Sequence, residues 1–298
     1  MIHVALLTGG TTAEREVALK SAQNVLKALE ANFEVEVFDL PNELDQFLAS
    51  RSNFDVAVPV FHGRGGEDGA IQGFLETLNV PYIFSCVEAH AVGIDKVSCK
   101  VLARGAGLNT AEWIVVEAGQ QIQWKHPVVV KPVDEGSSVG VIMARDATML
   151  AEISPLDRAM LVEDLIEGKE FTVAVIQDEH GAIALPVIEI RSKNKFFDFE
   201  SKYDPALCDE LCPAPIDENL TERLKDVALT AHNMIGARHI SRTDMIVDRN
   251  GEIWFLEINT IPGLTSASLT PKAIAAAGLR LEDLLMVWIE DVLKEKTA

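Results

Sequence analysis

The chain has 298 residues, 48% of them hydrophobic and 24% charged, a balance that lets it bury a large core without metal or disulfide staples. Its 26 Lys and Arg against 46 Asp and Glu give a formal net charge of −20, which argues against nucleic acid or an anionic membrane surface as a partner. At roughly 100–200 residues per domain, this length predicts two or three domains.

The first third of the chain alternates short apolar strands with helices. Strands are predicted at residues 4–7, 34–39, 55–60 and 82–85, and helices from residue 13 and over 68–78. The first helix has an apolar face made of Leu19, Ala22, Leu26 and Leu29. This alternation predicts a parallel sheet covered on both faces.

A helix over residues 96–104 leads into a stretch of short strands, at 113–116, 126–131, 139–144 and 160–162, with a helix at 148–153. This change of pattern predicts a domain boundary near residue 95. The last part predicts strands at 170–177 and 182–190, a long polar loop over 191–215 of the kind that often forms a lid, and a helix at 220–235. It closes with strands at 241–248 and 252–258, joined by an Asn-Gly hairpin turn, and a helix at 281–293.

Cysteine usage and targeting signals point to a soluble protein in the cytoplasm. Cys208 and Cys212 are closely spaced, but no second Cys or His pair stands near them to complete a zinc site, so we expect Cys86, Cys99 and this pair to be reduced thiols. Apolar residues 2–7 are too few for a signal peptide, and no apolar run approaches the 18 or so residues of a membrane helix.

A glycine- and serine-rich segment follows the apolar strand that ends at Lys131. It reads Gly-Ser-Ser-Val-Gly over residues 136–140 and includes Ser137 and Ser138. Glycines let backbone N–H groups point at an anion, and a lysine at the end of a strand adds positive charge. The segment therefore favours a loop over nucleotide phosphates, although it is not a Walker A loop and a plain turn also fits.

Four polar residues lie on the two strands of the predicted C-terminal hairpin. Arg242 and Asp244 alternate on the first strand and therefore point to one side, and Glu257 and Asn259 do so on the second. If the register brings the two sides together, the three oxygen-bearing side chains suit Mg²⁺. The alternative is a polar, solvent-facing side of an antiparallel sheet.

Two further features lie near strand ends in the first third. Residues 62–69 hold four glycines after an apolar strand, at the carboxyl end where open α/β sheets place ligands, although a flexible turn is the alternative. Glu14 lies at the start of the first helix. Its negative charge either interacts favourably with the positive end of the helix dipole or binds a substrate ammonium group.

Together these segments resemble the D-alanine–D-alanine ligases of the ATP-grasp superfamily, in order over nearly the whole chain. The matching segments are residues 9–17, 62–69, 130–132 with 135–140, 202–203, and 256–263 with 265–269. The resemblance implies an α/β, three-domain ATP-grasp fold: an N-terminal parallel α/β domain (1–95), and two α+β domains (96–166 and 167–298) that clasp ATP. It also implies a homodimer with a role in peptidoglycan synthesis.

The resemblance implies a reaction in two steps. ATP phosphorylates the carboxylate of one D-alanine, and the amine of a second D-alanine attacks the acyl phosphate and displaces phosphate. Two Mg²⁺ ions, with Mn²⁺ as a substitute, neutralise charge on the transferring phosphoryl group. Their expected ligands are Asp244, Glu257 and Asn259.

The resemblance also implies which residues bind ATP. Lysines and the serine loop are expected to bind the phosphates, a hinge segment to bind the adenine, and a carboxylate to bind the ribose. They are Lys96, Lys131, Ser137, Ser138, Glu163 and Leu165 (adenine), Glu170 (ribose), Lys202 and Asn259.

The substrate positions fall on Glu14, His62, Arg242, Gly263, Ser268 and Leu269. Glu14 is expected to receive the ammonium of the first D-alanine, and Ser268 and Leu269 the carboxylate of the second. Arg242 and the N–H of Gly263 are expected to stabilise the oxyanion of the tetrahedral intermediate.

The polar loop carries Lys202 and Tyr203, which the resemblance places on a lid that shields the acyl phosphate from water. Tyr203 is expected near Ser137 and Glu14. Relatives that make D-alanyl-D-lactate depart from this Lys-Tyr pair, so its presence favours an amine as the second nucleophile.

Three positions depart from the family pattern. Phe197 occupies a position where the family often has Tyr, Ala267 one where it often has His, and Asp164 one where it often has Lys. These departures bear on affinity, not on the reaction. The alternatives are another ATP-grasp carboxylate ligase, such as a D-alanine–D-lactate ligase, and a nucleotide-binding regulator that has lost catalysis. Arg242 beside a metal cage speaks against a regulator, which has no use for an oxyanion donor.

Overall fold

The structure, a computed structural model, describes residues 1–133, 140–153, 156–178, 180–192 and 208–297. Its strands are β1 (His3–Gly9), β2 (Glu34–Leu40), β3 (Val56–Pro59), β4 (Trp113–Val116), β5 (Val128–Pro132), β6 (Ile142–Ala144), β7 (Met160–Asp164), β8 (Gly168–Asp178), β9 (Gly181–Ala184), β10 (Ile188–Ser192), β11 (Cys208–Leu211), β12 (Ile240–Asp248) and β13 (Ile253–Asn259). Its helices are α1 (Arg15–Leu29), α2 (Leu44–Ser50), α3 (Ala70–Thr77), α4 (Val87–Ile94), α5 (Lys96–Gly105), α6 (Ala147–Glu152), α7 (Glu218–Met234), α8 (Leu269–Ala276) and α9 (Leu281–Thr297).

The N-terminal sheet is parallel, as predicted, with strand order β2-β1-β3. The strand predicted at 82–85 is wrong, since only Tyr82 forms a single bridge, to Ala57. Side chains from the C-terminal part replace the ladder there: the Arg238 guanidinium donates to the carbonyls of Tyr82 and Phe84, and the Phe84 N–H donates to His239 Nδ1 at 2.9 Å. This segment therefore ties the first sheet to the start of β12.

Two antiparallel sheets follow, built from the short strands of the later part of the chain. The central sheet has the order β4-β7-β5-β6, and the C-terminal sheet has β11-β10-β8-β12-β13 with β9 also on β8. The single strand predicted at 182–190 is wrong: it divides into β9 and β10 around Pro186, which has no N–H for a ladder. The loop predicted over 191–215 contains β11, which pairs with β10.

The helices that cover the N-terminal sheet come from both ends of the chain. On α1 the buried face is Ala18, Ala22, Val25 and Leu29, slightly rotated from the predicted one. On α9 the predicted apolar residues, Leu281, Leu284, Leu285 and Trp288, are all buried, in one cluster with residues of β1 and β3.

Trp288 is the centre of the junction between the first and last sheets. It stacks on His239 with ring centroids 5.7 Å apart and contacts Phe84 edge-on at 6.0 Å. Its indole N–H donates to the carbonyl of Gln177 at 2.8 Å. The side chain thus fills space and satisfies a buried polar group at once.

We expect Trp288→Ala to lower the free energy of unfolding by about 3–5 kcal/mol, because it opens a cavity and leaves the Gln177 carbonyl without its donor. Urea titration at neutral pH measures this. Val287→Ala, on the adjacent and partly exposed position, is the matched control, and a change in it as large as that in Trp288→Ala would contradict the account.

Helix α5 lies between the central and C-terminal sheets. Cys99 and Ala103 pack against Phe255 and Ile258 of the C-terminal sheet. The backbone N–H of Lys96 donates to the carbonyl of Val133, just after β5 of the central sheet. The helix therefore fixes the position of its lysines relative to both sheets. Among the described residues, no helix combines the length and apolar character needed to cross a membrane.

Candidate active site

An arginine and an aspartate form a buried ion pair on β12. Arg242 Nε donates to Asp244 Oδ1 at 2.9 Å, and a second guanidinium N–H donates to Oδ2 at 2.8 Å, a bidentate contact. Burial alone would lower the pKa of Arg242, but the Asp244 carboxylate raises it above its ordinary value. Thr172 on β8 donates to the same Oδ1 at 2.6 Å. The guanidinium is therefore a fixed cation.

The hairpin register brings the polar sides of the two strands together. Asp244 stands opposite Glu257 and Arg242 opposite Asn259, so all four side chains point to one face, with a β-bulge directly after Asp244. The Asn259 amide donates to Asp244 Oδ2 at 3.3 Å. With two bonds from Arg242 and one from Thr172, at least four donors are directed at this carboxylate.

These residues fit a hard divalent cation once the Asn259 amide turns over. The turn removes one donor from Asp244 and presents the amide oxygen on the same face as Glu257. Within the described ranges, no three His, Cys, Asp or Glu side chains converge on a metal position. A Mg²⁺ here would therefore depend on these two carboxylates, one amide and oxygens of the nucleotide.

Glu14 lies directly before α1 and is buried. Its Oε2 lies so close to Gly63 that a Cβ built there would stand 2.2 Å from it. Gly63 also has a φ of +68°, so a glycine is needed on both counts. Burial, and next the charge of Glu14, raise the pKa of Glu67 to about 8, while Arg242 opposes the rise. Glu14, Glu67 and Arg242 therefore share one neighbourhood.

Glu67 bridges two loops that are far apart in the chain. One carboxylate oxygen accepts from the Gly63 N–H at 2.8 Å, and the other accepts from the Ile261 N–H at 3.2 Å. His62 makes a parallel link, with Nδ1 3.2 Å from the Ile261 carbonyl and Nε2 2.9 Å from Ser21 Oγ. Burial lowers the pKa of His62 to about 4, which keeps the ring neutral.

The segment after β13 carries the predicted binding positions for the second substrate. Leu264 is held to α1 on both sides, by Ser21 at its N–H and by Asn24 at its carbonyl. A Cβ on Gly263 would stand 2.9 Å from Ser268 Oγ, so the structure brings these two predicted residues together. Ser268 precedes α8 and Leu269 begins it. The same turn thus offers a backbone N–H, a hydroxyl and a helix start.

A second cluster lies at the central sheet. Glu163 on β7 forms ion pairs with Lys131 on β5 and with Lys100 on α5, and all three side chains are buried. Lys96 begins α5 and is buried on the same face as Lys100. The backbone N–H of Lys96 donates to the Val133 carbonyl, two residues after Lys131, so the two predicted phosphate-binding lysines lie on neighbouring segments.

Some of the other predicted site residues lie in the part of the chain that the structure describes, and some do not. Glu170 lies on β8, between Ile190 and Ile246. The backbone N–H of Leu165 donates to the Pro127 carbonyl at 3.1 Å, so Leu165 does not offer this donor to a base. The predictions for Ser137, Ser138, Lys202, Tyr203 and Phe197 concern residues outside the described part of the chain.

The departures that are described differ in their surroundings. Asp164 Oδ1 lies 2.6 Å from Nε2 of the His126 ring. Ala267 lies in the turn between Gly263 and α8.

Three residues near the site had no assigned role at the level of sequence: Thr172, Glu67 and Lys100. Thr172 lies two residues after Glu170 on the same strand, and Lys100 follows Lys96 by one helical turn, so strand and helix periodicity place both near predicted residues. The Glu67 link to Ile261 spans 194 positions and has no local signal.

Two family models match the chain. The one described as D-ala D-ala ligase N-terminus matches residues 41–85, and the one described as D-ala D-ala ligase C-terminus matches residues 89–290. The D-alanine--D-alanine ligase of Pseudoalteromonas translucida is 40% identical over 303 residues, covering 97% of each chain. That of Alcanivorax borkumensis is 41% identical over 280 residues, covering 93% of this chain and 89% of the relative.

Solved structures of similar proteins agree. The D-alanine--D-alanine ligase of Bacillus anthracis superposes with a TM-score of 0.85 at 30% identity, over 100% of this chain and 99% of that one. The same enzyme complexed with ATP gives 0.83 at 28% identity, with the same coverage. The α/β ATP-grasp fold implied by the sequence is thereby confirmed, and the chain belongs to the D-alanine–D-alanine ligase family.

Proposed function

We propose that this protein is an ATP-dependent ligase that joins two D-alanines into D-alanyl-D-alanine for peptidoglycan synthesis. One observation carries the proposal: Glu67 and His62 connect the loop beside Glu14 to the turn that carries Gly263, next to Arg242. An anion that suits an ammonium group and a cation that suits an oxyanion thus lie in one neighbourhood. The names of the relatives support the same substrates.

The first step places one D-alanine between these groups. Its ammonium lies against Glu14, and its carboxylate oxygen attacks the γ-phosphorus of ATP, forming an acyl phosphate and ADP. Lys96 and Lys131 attract the phosphates, while Glu163 and Leu165 lie at the base, Glu170 at the ribose, and Ser137 and Ser138 over the phosphates. Mg²⁺, bound as two ions by Asp244, Glu257 and Asn259, would neutralise phosphoryl charge.

In the second step the amine of the second D-alanine attacks the acyl carbon. Its carboxylate is held at Ser268 and Leu269, where a helix start favours an anion. The carbonyl oxygen gains negative charge, which the Arg242 guanidinium and the Gly263 N–H stabilise. The amine loses a proton, and phosphate leaves. Lys202 and Tyr203 on the lid exclude water from the acyl phosphate.

We further propose that the enzyme works in the cytoplasm as a homodimer. The cytoplasm holds the ATP that the reaction consumes, and the four cysteines of the sequence, all free in the structure, suit a reducing compartment. Gel filtration with light scattering decides the oligomeric state.

Glu14→Gln is expected to raise the KM for the first D-alanine about tenfold or more, because the amide keeps the shape and loses the charge that pairs with the ammonium. The KM for ATP should stay nearly constant. Initial rates with each substrate varied in turn measure both constants. Glu16→Gln, two positions on and at the start of α1, is the matched control. A change confined to the ATP constant would remove Glu14 from the substrate site.

The proposed activity is tested by phosphate release from ATP and Mg²⁺ with D-alanine, with L-alanine, and with D-alanine plus D-lactate. We expect release only when D-alanine is present, and a dipeptide product by mass spectrometry. A depsipeptide as main product would instead support the D-alanine–D-lactate alternative.

A further inference from the structure

Lys100 is a buried lysine for which the reaction above has no use. Its side chain is 1% exposed, yet its ammonium keeps polar partners: Thr110 Oγ1 at 2.5 Å and Glu163 Oε2 at 2.8 Å. It also lies 5.3 Å from the centre of the Trp113 ring. A lysine is rarely buried this far without a partner that needs its charge.

Strand register explains why these groups meet. Glu163 on β7 stands opposite Trp113 of β4 on one side and opposite Val129 of β5 on the other. Lys131 lies two residues beyond Val129 and so shares its face. Lys100 reaches the same carboxylate from α5, which lies over Trp113. Glu163 is therefore held from two sides, by two elements that pack independently.

The two oxygens of Glu163 are not equivalent. Lys131 forms an ion pair with Oε1, and Lys100 lies near Oε2. Lys100 Nζ lies 2.8 Å from Oε2 in an ion pair, and Oε2 has no other donor among the described residues. A carboxylate oxygen has two lone pairs, so Oε2, oriented by Lys100, can accept a hydrogen bond from one further donor, such as a group of a ligand.

Charge explains why a second lysine is needed. A carboxylate paired only with Lys131 would form a neutral pair, and Lys131 would have little positive charge left for a phosphate. With Lys100 present the three groups sum to one positive charge. Burial alone would raise the pKa of Glu163, and the two lysines reverse this and lower it. The group is thereby kept as an acceptor, since a protonated acid would present a donor.

We propose that Lys100 is a positioning residue that sets the base preference of the enzyme: it fixes ionised Glu163 so that Oε2 accepts the exocyclic amine of a 6-aminopurine nucleotide. The inference rests on the proposed function, in which the base of ATP lies at Glu163. A 6-oxopurine such as guanine presents a carbonyl oxygen at the same place and is repelled by the carboxylate. Lys100 itself touches no substrate.

The test compares ATP with purine riboside triphosphate, which lacks only the 6-amino group. Calorimetry gives the Kd of each nucleotide, and kcat/KM is measured beside it. For the wild type we expect about tenfold or more tighter binding of ATP, the factor typical of one hydrogen bond to a charged group. In Lys100→Met both nucleotides should lose affinity at the phosphates, but only ATP also loses the contact to its 6-amino group, so the two nucleotides should bind within about twofold of each other.

Thr110 offers a matched pair of milder variants. Thr110→Val removes the hydroxyl that holds the Lys100 ammonium and should reduce the preference for ATP, while Thr110→Ser keeps the hydroxyl and the preference. If Lys100→Met does not fold, this pair decides the question. The inference would be overturned if the variants lost affinity for both nucleotides by the same factor, or if the wild type bound ATP no more tightly than the analogue. A wild type that binds and prefers ATP but forms no dipeptide would refute the proposed function instead.

Discussion

Replacing Arg242 by Met is expected to lower the rate of dipeptide formation about 100- to 1,000-fold and to leave the Kd of ATP nearly unchanged. The reason is geometric: both guanidinium nitrogens on one edge are bound to Asp244, so the group is fixed before the reaction and needs no reorganisation when the oxyanion forms. Loss of one such donor typically costs about 2.7–4 kcal/mol of barrier. Single-turnover dipeptide formation and nucleotide calorimetry measure the two quantities.

A matched variant separates this effect from damage to the carboxylate. Thr172→Val removes one hydrogen bond from Asp244 and keeps the guanidinium, so we expect a much smaller loss of rate. Wild-type turnover in Arg242→Met would remove the oxyanion assignment. A loss of rate in Thr172→Val equal to that in Arg242→Met would assign the effect to the position of Asp244.

Acid is expected to unfold this protein well before its carboxylates are all protonated. Burial lowers the pKa of several histidines to about 4 or about 3 in the folded state, against 6.5 in the unfolded chain; they are His62, His90, His232 and His239. As the pH falls from 6.5 to 4, the unfolded chain binds protons that the folded one excludes, so the free energy of unfolding falls.

One group acts in the opposite direction. The pKa of Glu67 is raised to about 8, so its contribution to stability grows as the pH falls from 8 towards its unfolded value of 4.5. For the four histidines and Glu67 together, the net loss in the free energy of unfolding between pH 7 and pH 4.5 is on the order of 5–10 kcal/mol, comparable with the whole stability of a typical protein.

Urea titrations at a series of pH values measure this loss. His232→Asn should reduce the slope with pH, since burial is the cause of the His232 shift, while His180→Asn, on an exposed ring, is the control. Equal stability at pH 7 and pH 4.5 would contradict the account.

Much of the fold was predictable where a local pattern determines the structure. The alternating strands and helices of residues 1–78 and the hairpin of β12 and β13 follow from periodicity and an Asn-Gly turn. The conformation of residues 82–85 was not predictable, because Arg238 and His239 make hydrogen bonds to this segment in place of the strand ladder. A partner 155 positions away leaves no trace in the local pattern.

The candidate site divides in the same way. Arg242, Asp244, Glu257 and Asn259 share a face because of strand periodicity, which the sequence shows, and because of the hairpin register, which the sequence left open. The bridge from Glu67 to Ile261 and the pair of Lys100 with Glu163 depend on how separate elements pack. The domain boundaries at 95 and 166 stay predictions, since α5 packs against two sheets at once.

The central claim, that ATP activates one D-alanine for attack by another, is tested most directly with D-alanine labelled with ¹⁸O in its carboxylate. If the carboxylate is phosphorylated and phosphate then leaves, each released phosphate carries one oxygen from D-alanine, and the dipeptide retains one label in its new amide bond. Mass spectrometry of both products should give this distribution. Unlabelled phosphate, or release without a dipeptide, would contradict the account.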